Sequence, residues 1–194
     1  MLACTPALNW RDVRPPDSGV AALFPCKPDR FSRSVPLAGA TVPMVLMSCS
    51  AVSANFALGY AEMVDPTRAT LALTELRAAA TGNISGRITA QTPLAMNGMT
   101  PNALAERLTI EGQRDDGRTI SEQAAFFTKG RRVYRQASSP TRSMSTPPTP
   151  FSPLSSSSHD AGRLTRAVVR RGALRVVIKA SHAVVRVVFA SRRR

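Results

Sequence analysis

Apolar and polar residues alternate in several stretches of the first 137 residues of this chain, and such alternation is typical of half-buried β-strands. The stretches are separated by glycine, proline and aspartate, the residues that favour turns. The pattern predicts strands over residues 20–24, 30–37, 42–49, 55–62, 102–113, 119–128 and 131–137. Residues 84–99 are irregular, with room for one short strand. Glycine-containing turns at 114–117 and 128–130 connect the last three strands as an antiparallel meander.

One segment has a helical period instead. Asp65 and Pro66 are typical of an N-cap followed by a first helical position, and Gly82 is typical of a helix end. Between them, small and apolar residues recur at helical spacing on one stripe: Ala69, Ala72, Leu73, Leu76 and Ala80. The sequence therefore predicts an α+β fold, in which one main helix covers a twisted antiparallel sheet of about six strands.

The alternation also predicts which side chains share a face of the sheet. Phe56, Leu58 and Tyr60 fall on one face of their strand. In the meander, one inward-facing set is expected, consisting of Leu104, Leu108, Ile110, Ile120, Ala124, Phe126 and Val133. Tyr134 is expected to face the other side.

The composition divides the chain into four parts. Residues 1–18 are a proline-containing N-terminal tether, and residues 19–137 are the α+β domain. Residues 138–162 are almost entirely serine, proline and threonine, and cannot bury enough apolar surface to offset their ordering entropy. We expect a disordered linker there, followed by a basic tail over residues 163–194.

Most of the net charge of +14 belongs to that tail. Residues 1–150 carry 16 Lys/Arg and 11 Asp/Glu, whereas residues 151–194 carry 10 and 1. The spacing of basic residues in the tail favours a weak helix, while its many valines favour strand, and we expect it to be weakly helical or disordered. The candidates for contact with an anionic surface, either nucleic acid or membrane, are Arg171, Arg175, Lys179, Arg186, Arg192, Arg193 and Arg194.

Two cysteines, Cys26 and Cys49, lie 23 positions apart in the domain. We predict that they form a structural disulfide, which would fit an oxidising compartment. Two buried free thiols, or a metal or catalytic role, are the alternatives. Zinc is disfavoured because there is no CxxC motif and both histidines, His159 and His182, lie beyond the domain.

Other catalytic patterns are also missing. Residues 1–137 contain no histidine that could activate a serine or cysteine, and the chain has no glycine-rich phosphate loop and no HExxH motif. The acidic residues Glu106, Glu111, Asp115 and Asp116 are interpreted as turn formers and solvated strand positions rather than an acid–base pair. We therefore predict a non-enzymatic protein without a cofactor or a metal.

A set of short motifs carries a resemblance to a known family. It consists of Cys4 after Leu-Ala, Trp10, the Leu-Phe-Pro-Cys-Lys-Pro run at 23–28, Cys49, Asp65-Pro66 and the Phe-Thr-Lys-Gly-Arg-Arg-Val-Tyr hairpin at 127–134. With these motifs, residues 4–137 resemble a family of uncharacterised proteobacterial envelope lipoproteins. The order of elements is similar to a PsbP-like α/β/α sandwich. The resemblance implies lipidation of Cys4 in a full-length relative and a role in binding or assembly at the cell envelope.

The chain departs from that family at both ends. No apolar signal precedes Cys4, and no amphipathic helix follows the last hairpin. A start codon placed too far downstream and a frameshift after Ala137 would explain both departures. We expect the periplasmic side of the envelope, with an unidentified protein or envelope component as partner. The alternative is a cytoplasmic protein whose tail binds nucleic acid or an anionic membrane.

Overall fold

Strands dominate the fold, which we describe from a computed structural model covering residues 8–114, 116–141, 176–180 and 183–189. One helix, α1 (Ala69–Gly82), follows a short 3₁₀ turn at Pro66–Arg68. The strands are β1 (Arg11–Val13), β2 (Val20–Phe24), β3 (Asp29–Leu37), β4 (Ala40–Ala51), β5 (Ala54–Glu62), β6 (Arg87–Pro93), β7 (Glu106–Gln113), β8 (Thr119–Lys129), β9 (Arg132–Pro140), β10 (Val176–Ala180) and β11 (Ala183–Phe189).

The main sheet has seven antiparallel strands in the order β3-β4-β5-β9-β8-β7-β6. This sheet and the single helix among the described residues confirm the predicted α+β class. The short strand for which residues 84–99 had room is β6, at one edge of the sheet. The strand predicted over 20–24 is also present, but it belongs to a second sheet in the order β1-β2-β11-β10.

The predicted N-cap and first proline begin a 3₁₀ turn, so α1 itself starts at Ala69 rather than at Pro66. The Asp65 side chain accepts a hydrogen bond from the backbone N–H of Thr67 at 2.9 Å, and Pro66 opens the 3₁₀ turn, where its missing N–H is not needed. All five residues of the predicted apolar stripe are buried. No helix among the described residues combines the length and hydropathy required to cross a membrane.

The helix packs on one face of the main sheet and forms the helix-side core with it. The predicted inward set lies there as expected, with Leu104 partly buried at its margin and the other six residues buried. β2 packs on the other face and forms the opposite core, which contains the buried rings of Phe56, Tyr60, Phe127 and Tyr134. The rings of Phe127 and Tyr134 stack with their centroids 4.7 Å apart. The prediction that Tyr134 faces away from the inward set is thus confirmed.

Two buried tyrosine hydroxyls hold the loop between β1 and β2 against the main sheet. Tyr60 donates a hydrogen bond to the carbonyl of Pro16 at 3.1 Å, and Tyr134 donates one to the carbonyl of Ser18. Burial raises the pKa of the Tyr134 hydroxyl well above its ordinary value. The neutral phenol is therefore part of the folded structure.

Because the pKa of the Tyr134 hydroxyl is raised, we expect the stability of the protein to fall at alkaline pH. Because the folded-state pKa of Tyr134 is raised, its contribution to stability is complete below the unfolded pKa of about 10 and is lost as the pH rises above it. We expect the free energy of unfolding, measured in urea between about pH 9 and 11, to fall steeply with pH. Tyr134→Phe should reduce that slope while costing about 1 kcal/mol at neutral pH. An unchanged slope in the variant would contradict the assignment.

The turn between β3 and β4 is fastened to the helix. Ala38 and Gly39 both have positive φ, as a two-residue hairpin turn requires. A carboxylate oxygen of Glu75 accepts from the Ala38 N–H at 2.7 Å, and the Arg68 guanidinium donates to the Ala38 carbonyl at 2.8 Å. We call these two contacts the Ala38 clamp.

The predicted boundary between the α+β domain and the linker differs from the structure. Residues 138–140 belong to β9, where they pair with residues 54–56 of β5, so the boundary predicted at Ala137 is three residues early. The Arg114 guanidinium stabilises this extension by donating to the carbonyl of Pro140 at 3.1 Å. Residues 142–162 of the predicted linker lie outside the described residues.

Part of the basic tail is a β-hairpin rather than a weak helix. β10 and β11 pair with each other, and β11 also pairs with β2, aligning Val187 with Ala22. Two physical reasons favour the strands. Valine and isoleucine restrict χ1 in a helix, and the edge of β2 supplies backbone partners.

Candidate functional site

The helix leaves part of the main sheet uncovered, and a groove lies there. It is bounded by the C-terminal end of α1 on one side and by the β3–β4 hairpin on the other, and its volume is about 490 Å³. The groove is lined by Phe31, Arg33, Met44, Leu46, Asn55, Ala57, Gly59, Asn83, Glu122, Arg135, Ala137, Ser138 and Ser139. We call it the sheet groove.

Small residues on the two central strands give the sheet groove its depth. In the β5–β9 ladder Ala57 lies opposite Ala137, and Gly59 lies opposite Arg135. A Cβ atom on Gly59 would lie 3.1 Å from Cε of Met44. A larger side chain at this position would therefore enter the groove.

Large apolar side chains at the rim are exposed. Phe31 on β3 is 59% exposed and Leu46, its cross-strand partner on β4, is 42% exposed. Neighbouring exposed apolar groups at the mouth of a concave surface are a common feature of binding sites, whereas isolated ones need no explanation.

A nearly buried ion pair lies at the helix side of the groove. Nη2 of Arg135 donates to Oε1 of Glu122 at 2.7 Å, and the two side chains are only 19% and 11% exposed. The two charges neutralise each other. Arg33, by contrast, is exposed on the edge strand and forms no ion pair with another described residue.

The chemistry that this arrangement offers is binding. An apolar floor meets polar groups at one end, where Asn55, Asn83 and Ser139 contribute carboxamides and a hydroxyl. Among the described residues, no group of three or more histidine, cysteine, aspartate or glutamate side chains is placed to hold a metal ion.

The predicted cysteine pair is a disulfide. Cys26 follows β2 and Cys49 lies in β4, and their Cα atoms are 6.0 Å apart. The bond joins the second sheet to the main sheet. Cys49 packs at the margin of the opposite core, so the disulfide lies on the face away from the sheet groove.

Two of the other predicted site residues lie in the described part of the chain, on neighbouring strands of the second sheet. Lys179 lies in β10 and Arg186 in β11, where their positions in the ladder differ by two residues. The remaining candidates lie outside the described residues: Cys4, Arg171, Arg175, Arg192, Arg193 and Arg194.

The interpretation of Glu106 as a solvated residue is wrong, because its side chain is buried. Glu106 is 3% exposed, and its Oε1 lies 3.2 Å from Nη1 of Arg77, an ion-pair distance without hydrogen-bond geometry. Glu111 and Asp116 are exposed, in agreement with the prediction, and Asp115 lies outside the described residues. The burial of Glu106 is explained by α1, which places Arg77 above β7.

The sheet groove is not predicted from the sequence. Its one local signal is Gly59, a glycine in the interior of a predicted strand, which is typical of a close approach by another group. None of the protein-family models, curated proteins or solved structures compared with this chain matches it. The groove and the disulfide are therefore the two structural features that bear on function.

Proposed function

We propose that the domain is a non-enzymatic binding module of the cell envelope, whose sheet groove holds a short, uncharged, apolar peptide segment of a partner protein. The observation that carries the proposal is the groove itself. Its volume of about 490 Å³ is within the range of ligand sites, and it has an apolar floor and exposed Phe31 and Leu46 at its rim.

The polar end of the groove supports a peptide as ligand. Peptide groups carry one donor and one acceptor each, and the carboxamides of Asn55 and Asn83 offer both kinds of group. Oδ1 of Asn55 already accepts from the Ser50 hydroxyl at 2.6 Å, so its NH₂ group is the part that can donate to a peptide carbonyl. A purely apolar ligand would offer no hydrogen-bond partner to the NH₂ group of Asn55 or to the carboxamide of Asn83.

The charges inside the groove support an uncharged segment, since Arg33, which forms no ion pair with another described residue, lies on the exposed edge strand, where water solvates it. Glu122 neutralises Arg135, so a carboxylate entering beside this pair would lose its hydration and gain little in return. Specificity in this groove would then come from the shape of the apolar side chains and from the hydrogen bonds at the polar end.

The compartment is part of the proposal. The Cys26–Cys49 disulfide supports an oxidising location, and the resemblance to envelope lipoproteins implies a lipid anchor on Cys4 in a full-length relative. Trapping thiols with an alkylating agent before lysis tests the location. Modification of both domain cysteines in protein from its native host would count against the envelope.

Binding of a neutral apolar fluorophore tests the groove. We expect Nile red to bind the full chain with a blue shift in emission, and a capped Ala-Leu-Val-Leu-Ala peptide to displace it. Gly59→Leu should weaken binding at least about tenfold because the new side chain fills the floor. Leu46→Asp should do the same by placing a charge at the rim, without requiring space in the centre of the sheet.

The controls distinguish binding in the groove from non-specific binding of the dye to other apolar surface. Leu71 on α1 is 48% exposed and lies outside the groove, so Leu71→Asp should leave Nile red binding unchanged. A capped Ala-Asp-Val-Asp-Ala peptide should not displace the dye. Equal binding by wild type, Gly59→Leu and Leu46→Asp, with all three folded by circular dichroism, would refute the proposed site.

A further inference from the structure

One edge of the main sheet is an open strand with a self-complementary sequence. β3 spans nine residues and is hydrogen-bonded to β4 on one side, and no described strand lies on its other side. Most of its residues are exposed, including Asp29, Phe31 and Arg33. An open edge of this kind presents unpaired N–H and C=O groups to another chain.

The β3–β4 turn determines which backbone groups point outward. In a two-residue hairpin the flanking residues, here Leu37 and Ala40, form a hydrogen-bonded pair, and hydrogen-bonded residues then alternate along the strand. Odd-numbered residues of β3 therefore bond to β4. Arg30, Ser32 and Ser34 turn their N–H and C=O groups to the open edge, where Pro36 has no N–H to offer.

One antiparallel register between two copies of β3 satisfies these groups. When Phe31 lies opposite Phe31 of the second copy, Arg30 lies opposite the second copy's Ser32, and Ser32 lies opposite its Arg30. The backbone N–H and C=O groups of both residues point to the open edge. The two equivalent pairs would therefore make four N–H···O bonds. The two Phe31 side chains would form a pair without backbone hydrogen bonds, in which side chains approach most closely.

The same register pairs opposite charges on both sides of Phe31. Asp29 would lie opposite Arg33 of the second copy, and Arg33 opposite its Asp29. Both residues are on the groove face of β3 with Phe31, and neither forms an ion pair with another described residue. The neighbouring register centred on Arg33 would bring two guanidinium groups together, and the register centred on Ser32 would place Asp29 opposite Val35.

We propose that the protein forms a two-fold symmetric homodimer through β3, centred on Phe31 and flanked by two Asp29–Arg33 pairs. The interface is isologous, because the same short surface of each copy contacts itself. It joins the two seven-stranded sheets edge to edge and places both sheet grooves on one face, with Phe31 at the rim of each. The proposal does not depend on what the grooves bind.

The oligomeric state of the full, disulfide-intact chain tests the dimer. We expect analytical ultracentrifugation at about 0.15 M salt to show a concentration-dependent monomer–dimer equilibrium, weak because the interface is small. Arg33→Asp and Asp29→Arg should each raise the dissociation constant at least about tenfold, since each replaces two attractive pairs by two repulsive ones. The double variant, Asp29→Arg with Arg33→Asp, should restore the dimer.

Two further variants complete the design. Ser32→Pro removes an outward N–H that an edge strand does not need for its own fold, and should also abolish the dimer. Arg87→Asp makes the same charge change as Arg33→Asp on the opposite edge strand, β6, and should leave the dimer intact. A wild-type chain that stays monomeric at about 0.3 mM, or a dimer that survives Ser32→Pro and both single charge reversals, would overturn the proposal.

Discussion

Replacing Cys26 and Cys49 together by serine is expected to lower the free energy of unfolding by about 3 kcal/mol. The disulfide closes a loop of 23 residues, and the chain-entropy model assigns about that value to a loop of this length. The loop contains all of β3 and most of β4, the two strands at one end of the main sheet. Without the bond, these residues are no longer tied together in the unfolded chain, so the entropy of the unfolded state rises and the fold becomes less stable.

Urea unfolding followed by circular dichroism measures the effect. Wild-type protein treated with a reductant should unfold at the same urea concentration as the double serine variant, because both lack the cross-link. Cys4→Ser, a serine replacement that leaves the disulfide intact, serves as the control and should unfold with the oxidised wild type. A reductant that leaves the wild-type midpoint unmoved would show that the bond contributes nothing to stability.

Replacing Arg135 by leucine is expected to cost about 3 kcal/mol, because it leaves the Glu122 carboxylate nearly buried without its partner. Thermal or urea unfolding of the variant and the wild type measures this cost.

A double variant separates the lost pair from the lost side chain. Glu122→Leu combined with Arg135→Leu removes both charges. The free energy of unfolding of this double variant should be within about 1 kcal/mol of the wild-type value. The surface pair Arg87–Glu111 provides the comparison, since its side chains are 84% and 47% exposed, and Arg87→Leu should change stability by under about 0.5 kcal/mol. Equal costs for Arg135→Leu and the double variant would show that the pair is not what stabilises this position.

The parts of the fold that the sequence predicts are those set by local periodicity. The alternation in β5 placed Phe56, Leu58 and Tyr60 on one face, and the opposite core contains all three. The 3.6-residue period in α1 identified its buried stripe, because a helix against a sheet needs one apolar face. The presence of two cysteines 23 positions apart in the domain predicts the Cys26–Cys49 pair, and the structure confirms it.

The sheet groove could not be predicted in the same way. Alternation predicts that Ala57 and Gly59 lie on the face of the sheet opposite to Phe56. It does not predict where the helix crosses that face. That position depends on contacts between distant parts of the chain, such as those of the Ala38 clamp. For the same reason the sequence predicts a solvated Glu106, since its partner Arg77 is distant in sequence.

The Ala38 clamp also bears on how wide the sheet groove can become. It fixes the turn of the β3–β4 hairpin to the helix, while the Asp29 end of the hairpin is held by the β4–β5 ladder and by the Cys26–Cys49 disulfide just before β3. A hairpin held at both ends keeps this wall of the groove in place. The groove should thus select ligands by the size of their side chains, rather than widen for larger ones.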